Sequence, residues 1–121
     1  GVCYLALDNP GQSPRIPIFC GNTRVPEAYG RCGQNTYDPS IALWQFRKAN
    51  KLATLAWQKT KGPFMEEVMN QQKDMLSTVR SLDANADSDT LNEVTEKIHL
   101  EAAARWSEME SNLWVTFGLG F

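Results

Sequence analysis

The sequence predicts an α-rich α+β fold, with about three amphipathic helices and a short strand at each end. Three observations carry this. Apolar residues recur at spacings of three and four through the middle and later parts of the chain, the period of one helical face. Strand-like apolar runs stand at both ends, Val2 to Leu7 and Leu113 to Phe121. Turn-forming residues concentrate in residues 1–38. The 121 residues fit a single segment of ordinary domain size.

The elements follow in order. Residues 1–38 read as a strand followed by ordered loop. Asp8-Asn9-Pro10-Gly11 is a turn signal, because Pro fixes φ and Gly tolerates positive φ. Pro14, Pro17 and Pro26 make Ile16 to Cys20 at best an edge or irregular strand.

A first helix is expected over 39–61, with Asp38 as N-cap and Pro39 in the first helical position. Its apolar stripe is Ala42, Phe46, Ala49, Ala53 and Ala56, small enough for another helix to approach closely. Gly62-Pro63 should end it and start a second helix over 63–82, with Met65, Val68, Met75, Val79 and Leu82 inward and Gln72 at the gap. A third helix is expected over 90–111, where Thr90 and Glu93 have capping-box spacing. Its stripe is Leu91, Val94, Ile98, Ala102, Trp106 and Met109, and Glu93–Lys97 and Glu101–Arg105 are spaced for i,i+4 pairs. A closing strand is expected over 113–121.

Charge excludes some functions. The net charge of −2 gives no long-range field for nucleic acid. The longest apolar run falls far short of the ~20 residues of a membrane span. Arg47, Lys48, Lys51, Lys59 and Lys61 form a basic stretch without an acid, whereas residues 62–121 hold eleven acids against four bases. A basic helix packed beside acidic ones accounts for this; an anion-binding surface is the sharper reading.

Candidate chemistry is sparse. Cys3, Cys20 and Cys32 form no CxxC pair, and the only histidine, His99, is distant in sequence, so no metal site is assigned. Cys20 and Cys32 flank a loop of plausible length for a disulfide; free thiols are the other option. His99 lies between Ile98 and Leu100 and reads as structural or surface. Asp83-Ala84-Asn85-Ala86-Asp87-Ser88-Asp89 resembles the start of a calcium loop, but Ser88 replaces the turn glycine and Val94 the bidentate Glu. A helix–helix loop ending in a cap explains the same residues. No cofactor motif and no catalytic residue is assigned.

Two stretches together carry a family resemblance. One is Pro17-Ile18-Phe19-Cys20-Gly21 followed by Val25-Pro26-Glu27. The other is Tyr37-Asp38-Pro39-Ser40-Ile41-Ala42-Leu43-Trp44-Gln45-Phe46-Arg47, running on to Asn50, Leu52 and Ala53. In order and spacing they resemble the C-terminal part of the cysteine-nucleophile dipeptidases, which are N-terminal-nucleophile hydrolases. The resemblance covers residues 1 to about 60; beyond that only the order of elements agrees. It implies a parent αββα sandwich that hydrolyses dipeptides or related small amides, through the thiol and free α-amine of an N-terminal cysteine. Cys3 departs from that role, because its nitrogen is acylated by Val2.

The expectation is therefore the C-terminal structural portion of a dipeptidase whose nucleophile lies upstream of Gly1, this segment alone being inactive. Its partners would be the remainder of the parent enzyme, or a second copy through apolar helix faces, with dipeptide as the parent's substrate. A smaller subunit of a processed hydrolase differs only in how the active site is supplied. The alternative is a stand-alone helical protein-interaction module, with the basic helix or the Trp residues as its surface. An extracytoplasmic setting is slightly favoured only if two cysteines are bonded.

Overall fold

The computed structural model describes residues 1–118. Strand β1 is Val2–Leu5 and strand β2 is Ile16–Phe19. They pair antiparallel, with Val2 opposite Phe19, Cys3 opposite Ile18, Tyr4 opposite Pro17 and Leu5 opposite Ile16. The Cys20 N–H donates to the Gly1 carbonyl at 3.0 Å, which sets the phase of the ladder. In an antiparallel pair, successive residues turn their backbone groups alternately toward and away from the partner. Gly1, Cys3 and Leu5 therefore face β2, and Val2 and Tyr4 face outward. Pro17 lies opposite Tyr4, so its missing N–H is on the far side and the ladder loses nothing. Asp8 adopts φ 63°, in the left-handed region that Asp tolerates, and leads into the turn closed by Gln12 N–H on the Asn9 carbonyl at 3.0 Å.

After a single 3₁₀ turn at Glu27–Tyr29 come three helices: α1 (Ala42–Thr54), α2 (Trp57–Arg80) and α3 (Ser88–Gly118). The helix-rich α+β class is as the sequence predicts, but several boundaries move. Helix α1 starts after Ile41 rather than at Pro39. Asp38 is occupied one turn earlier, where its Oδ1 accepts the Ser40 N–H at 2.9 Å and the Ser40 hydroxyl at 2.6 Å.

The break between the first two helices lies at Leu55 and Ala56, not at Gly62-Pro63. Ala56 leaves helical geometry at φ −142° and ψ 55°, and Pro63 is carried inside α2. The reason is burial. Trp57, Phe64, Val68, Gln71 and Met75 continue one face across the proline, and Trp57 meets Phe64 edge-on at 6.1 Å. Thr60 Oγ1 donates to the Ala53 carbonyl at 2.7 Å and spans the break.

Helix α3 begins at Ser88, two residues before the expected cap Thr90, because Asp87 Oδ1 takes the Thr90 N–H at 2.9 Å. It also runs on to Gly118, so residues 113–118 of the expected closing strand are helical. Trp106, Met109, Leu113 and Phe117 keep the helical spacing and pack on the core, which decides between the two periods. Residues 119–121 of that strand lie outside the described residues.

The core sits mainly between α1 and α3. Ala49 and Ala53 are fully buried, and these small side chains let α3 approach closely. Trp106 is the largest buried side chain, with Phe46 and Phe64 edge-on at 6.2 Å and 6.3 Å. Its indole N–H donates to Asn50 Oδ1 at 3.0 Å. Arg105 reaches across to Glu67, at 3.2 Å, and to Asp74, both on α2, instead of pairing with Glu101 along its own helix. Trp106→Ala should cost about 3–5 kcal/mol in urea unfolding, through cavity formation and an orphaned Asn50 acceptor. Trp106→Phe should cost less but more than zero; an unchanged midpoint for either variant would contradict this account of the core.

Candidate functional site

The two edges of the hairpin differ in kind. Along the outer edge of β2, Arg15, Pro17 and Phe19 turn their backbone away from β1. Side chains meet each of them. Gln71 Oε1 accepts the Arg15 N–H at 2.9 Å and Gln71 Nε2 donates to the Arg15 carbonyl at 2.9 Å. Thr95 Oγ1 donates to the Pro17 carbonyl at 2.9 Å. The Phe19 N–H goes to Asn22 Oδ1 at 2.5 Å, and the Phe19 carbonyl accepts the Asn22 N–H at 3.0 Å. Gln71 and Thr95 are buried on α2 and α3, so they complete the ladder from the helix side. Asn92, also buried, holds Asn22 at 3.0 Å and the Thr23 N–H at 3.1 Å. No further strand can add here.

The outer edge of β1 is open. Val2 and Tyr4 present their N–H and C=O groups outward, with no partner among the described residues, and both side chains are more than a third exposed. From Val2 to Leu7 the strand carries no charge and no proline, the usual guards of a free edge. A two-stranded sheet is marginal by itself. This one is held by its inner strand against α2 and α3, and its outer strand is a template for strand addition.

A second polar cluster pins the loop between the strands. Arg47 Nε lies 2.9 Å from Asp8 Oδ1, with the Asp8 side chain only 6% exposed. Asn50 Nδ2 donates to Asp8 Oδ2 at 3.2 Å and to Ser13 Oγ at 2.8 Å. Burial alone would raise the Asp8 carboxyl, but hydrogen bonds from Arg47 and Asn50 outweigh it and hold the group below the usual carboxylate range. The carboxylate is committed to this ion pair.

The residues singled out in the sequence do not converge on one centre. Cys3 lies on β1, Cys20 just after β2 and Cys32 in the following loop; all three are free and exposed. His99 is structural, 2% exposed, with Nδ1 2.9 Å from the Tyr29 hydroxyl. Burial lowers the His99 pKa, partly offset by Glu96, and burial raises that of Tyr29, so both are neutral near pH 7. In the acidic loop, Asp83 accepts the Asn85 N–H at 2.8 Å and Asp87 caps α3, so both carboxylates serve local turns. Among the described residues, no group of three or more His, Cys, Asp or Glu side chains is placed to hold a metal ion. The basic stretch divides: Arg47 pairs with Asp8, and Lys48 reaches Glu110 at 3.4 Å and the Tyr37 hydroxyl at 3.4 Å. Among the described residues, no helix is long and apolar enough to cross a membrane.

The residues of the two resemblance stretches do structural work. Trp44 Nε1 donates to the carbonyls of Gly33 at 2.6 Å and Thr36 at 3.0 Å, folding the loop back on α1. Fold and site define a helix-rich α+β unit with one open strand edge. No family model, curated protein or solved structure matches the chain.

Asp8 makes stability pH-dependent. Its folded pKa is depressed, so the stabilisation is complete above the unfolded value of about 3.9 and is lost as pH falls through the lower folded value. Asp8→Asn, which tolerates the same backbone, should lower stability near pH 7 by about 1–3 kcal/mol. The gap from the parent chain should shrink on acidification below about pH 4. Parallel stability–pH curves for the two chains would show that the ion pair is not the cause.

Proposed function

We propose that the chain is the C-terminal structural portion of a cysteine-type dipeptidase. In this reading the catalytic cysteine belongs to a preceding segment, and the parent enzyme hydrolyses dipeptides or related small amides. That cysteine's thiol attacks the carbonyl, and its free α-amine serves as general base. The present segment supplies three helices and the start of a sheet, and no reacting group. Cys3 cannot act in that way, because its nitrogen is in the peptide bond with Val2.

The observation that carries the reading is the asymmetry of the hairpin. One edge is closed by side chains, and the other is an uncharged strand with its backbone groups unpaired. A sheet that can grow in one direction only is what a partial layer of a sandwich requires. The stretches resembling the dipeptidases agree with it, since they build β2 and the turn into α1.

A second reading, a stand-alone helical interaction module, is favoured by one feature. A cleft of about 240 Å³ runs between α2 and α3, lined by Pro63, Phe64, Met109 and Leu113 among others. It would receive an apolar helix or strand without any hydrolytic partner.

Co-production with the preceding segment separates the two. The 121-residue chain alone should not hydrolyse dipeptides, and activity should appear on reassembly. Tyr4→Lys and Tyr4→Pro act at the outward edge, where Tyr4 is exposed and its N–H points away from β2. Each should cut recovered activity roughly tenfold or more, with little change in the urea midpoint of the chain alone. Full recovery with both edge variants would refute strand addition. Hydrolysis by the chain alone, abolished in Cys3→Ala, would refute the placement of the nucleophile.

A further inference from the structure

The register of the hairpin puts two thiols on one surface. Side chains alternate along a strand, so Gly1, Cys3 and Leu5 share a face of β1. Their cross-strand partners are Cys20, Ile18 and Ile16. Cys20 is thus the diagonal neighbour of Cys3 on that face. Diagonal neighbours of an antiparallel pair have Cα atoms about 7–8 Å apart and Cβ atoms closer. A disulfide spans Cα separations up to about 6.8 Å. A two-stranded ribbon is strongly twisted, and closing the bridge requires a shift of about an ångström in the outer strand, which is held on one side only.

Three further features favour the pair. Both thiols are free and exposed. The position directly opposite Cys20 is glycine, and a Cβ built there would lie 3.4 Å from Cys20 Sγ. The sulfur therefore lies against Gly1, the residue two before Cys3 on the same face. On the other face Val2 and Phe19 line a cavity with Val79, Leu82 and Leu91 of the helical part, and on the thiols' own face it is Ile16, at the far end of the strand, that is buried. Cys32 lies elsewhere, in the loop beside Gly33 and Ile41.

We propose that Cys3 and Cys20 form a redox-active dithiol that closes to an intrachain disulfide when it meets a low-molecular-weight disulfide such as glutathione disulfide. One protein thiolate attacks a sulfur of the reagent, the reagent S–S bond breaks, and one glutathione leaves as thiolate and takes up a proton. The second protein thiol loses its proton and attacks the protein sulfur of the mixed disulfide, expelling the second glutathione. Two protein thiols are oxidised and one glutathione disulfide is reduced to two glutathiones. The product pins β1 to the end of β2, so the redox state sets the stiffness of the strand that carries the open edge. This goes beyond the dipeptidase reading and does not depend on it.

The test uses the full 121-residue chain. It is incubated with glutathione disulfide under native conditions, and free thiols are then alkylated and the chain digested with trypsin without reduction. Cleavage at Arg15, Arg24, Arg31 and Arg47 places the cysteines in separate peptides, 1–15, 16–24 and 32–47. The expected product is the linked pair 1–15 and 16–24, formed equally in Cys32→Ser. In Cys3→Ser the reaction should stop at the glutathione adduct of Cys20, which should accumulate roughly tenfold above its level in the parent chain, because no second thiol resolves it. A predominant link from either peptide to 32–47, a link between two chains, or stable glutathione adducts on both cysteines of the parent chain would each overturn the proposal.

Discussion

The structure depends on how the backbone of β2 is satisfied on the side where no strand lies. A buried donor or acceptor left unpaired costs about 1–3 kcal/mol, and Ile16 to Phe19 is the buried strand of the hairpin. Gln71, Thr95 and Asn22 meet the outward groups of Arg15, Pro17 and Phe19 one for one. A glutamine on α2 is a bidentate stand-in for a neighbouring strand, because its amide offers the donor and the acceptor that a peptide unit offers. These bonds need the strand, α2 and α3 within a side chain's length of one another. They therefore fix the distance of both helices from the sheet, and they stop the sheet from growing that way.

The same device works on the other side of the core. Asn50 projects from α1, accepts the Trp106 indole N–H and donates to Asp8 and Ser13. One amide thereby connects the central aromatic side chain of α3 to the loop between the strands. The hydrophobic contacts of Trp106 with Phe46 and Phe64 supply most of the burial, and they are non-directional. Asn50 adds direction, since its donors and acceptor fit only one placement of the loop. Arg47 completes it by neutralising Asp8, which would otherwise be a buried charge at a backbone turn of positive φ.

Much of this was legible in the sequence, and the misses share a cause. The helical stripes through Phe46, Ala49, Ala53, Val68, Met75, Ile98, Ala102 and Trp106 are buried as the spacing indicates. The first strand and the edge character of the second follow from composition and from Pro17. What the apolar spacing does not reveal is polar. Gln71 lies three after Val68 and four before Met75, Asn50 four after Phe46 and three before Ala53, and Thr95 four after Leu91 and three before Ile98. Each stands on the apolar stripe itself, and Gln72, read as filling the gap, is only the half-buried neighbour. A short polar residue inside a stripe is the available signal for a side chain that bonds to foreign backbone, but its partner is set by tertiary structure alone. The end of α3 departs from the expected strand for a related reason. Leu113, Val115 and Phe117 alternate like a strand, whereas Leu113 and Phe117 also extend the four-residue step from Met109, and packing on the core selects the second.

The division between helices and sheet bears on how the open edge works. Most of the buried apolar surface belongs to α1, α2 and α3, and the hairpin contributes Ile16 and Phe19. Strand β1 gives the core little, yet it is held in extended form through its ladder to a strand that the helices clamp. Ordering a free segment into a strand costs about 1–2 kcal/mol per residue in backbone entropy. Here that cost is met within the fold, so an incoming strand finds backbone groups already aligned. Pairing at Val2 and Tyr4 then depends on the partner's own ordering and on fit to the exposed side chains. An edge of this kind selects extended segments over folded surfaces, because its unmet groups are peptide N–H and C=O at strand spacing and no charge beside them offers another mode of contact.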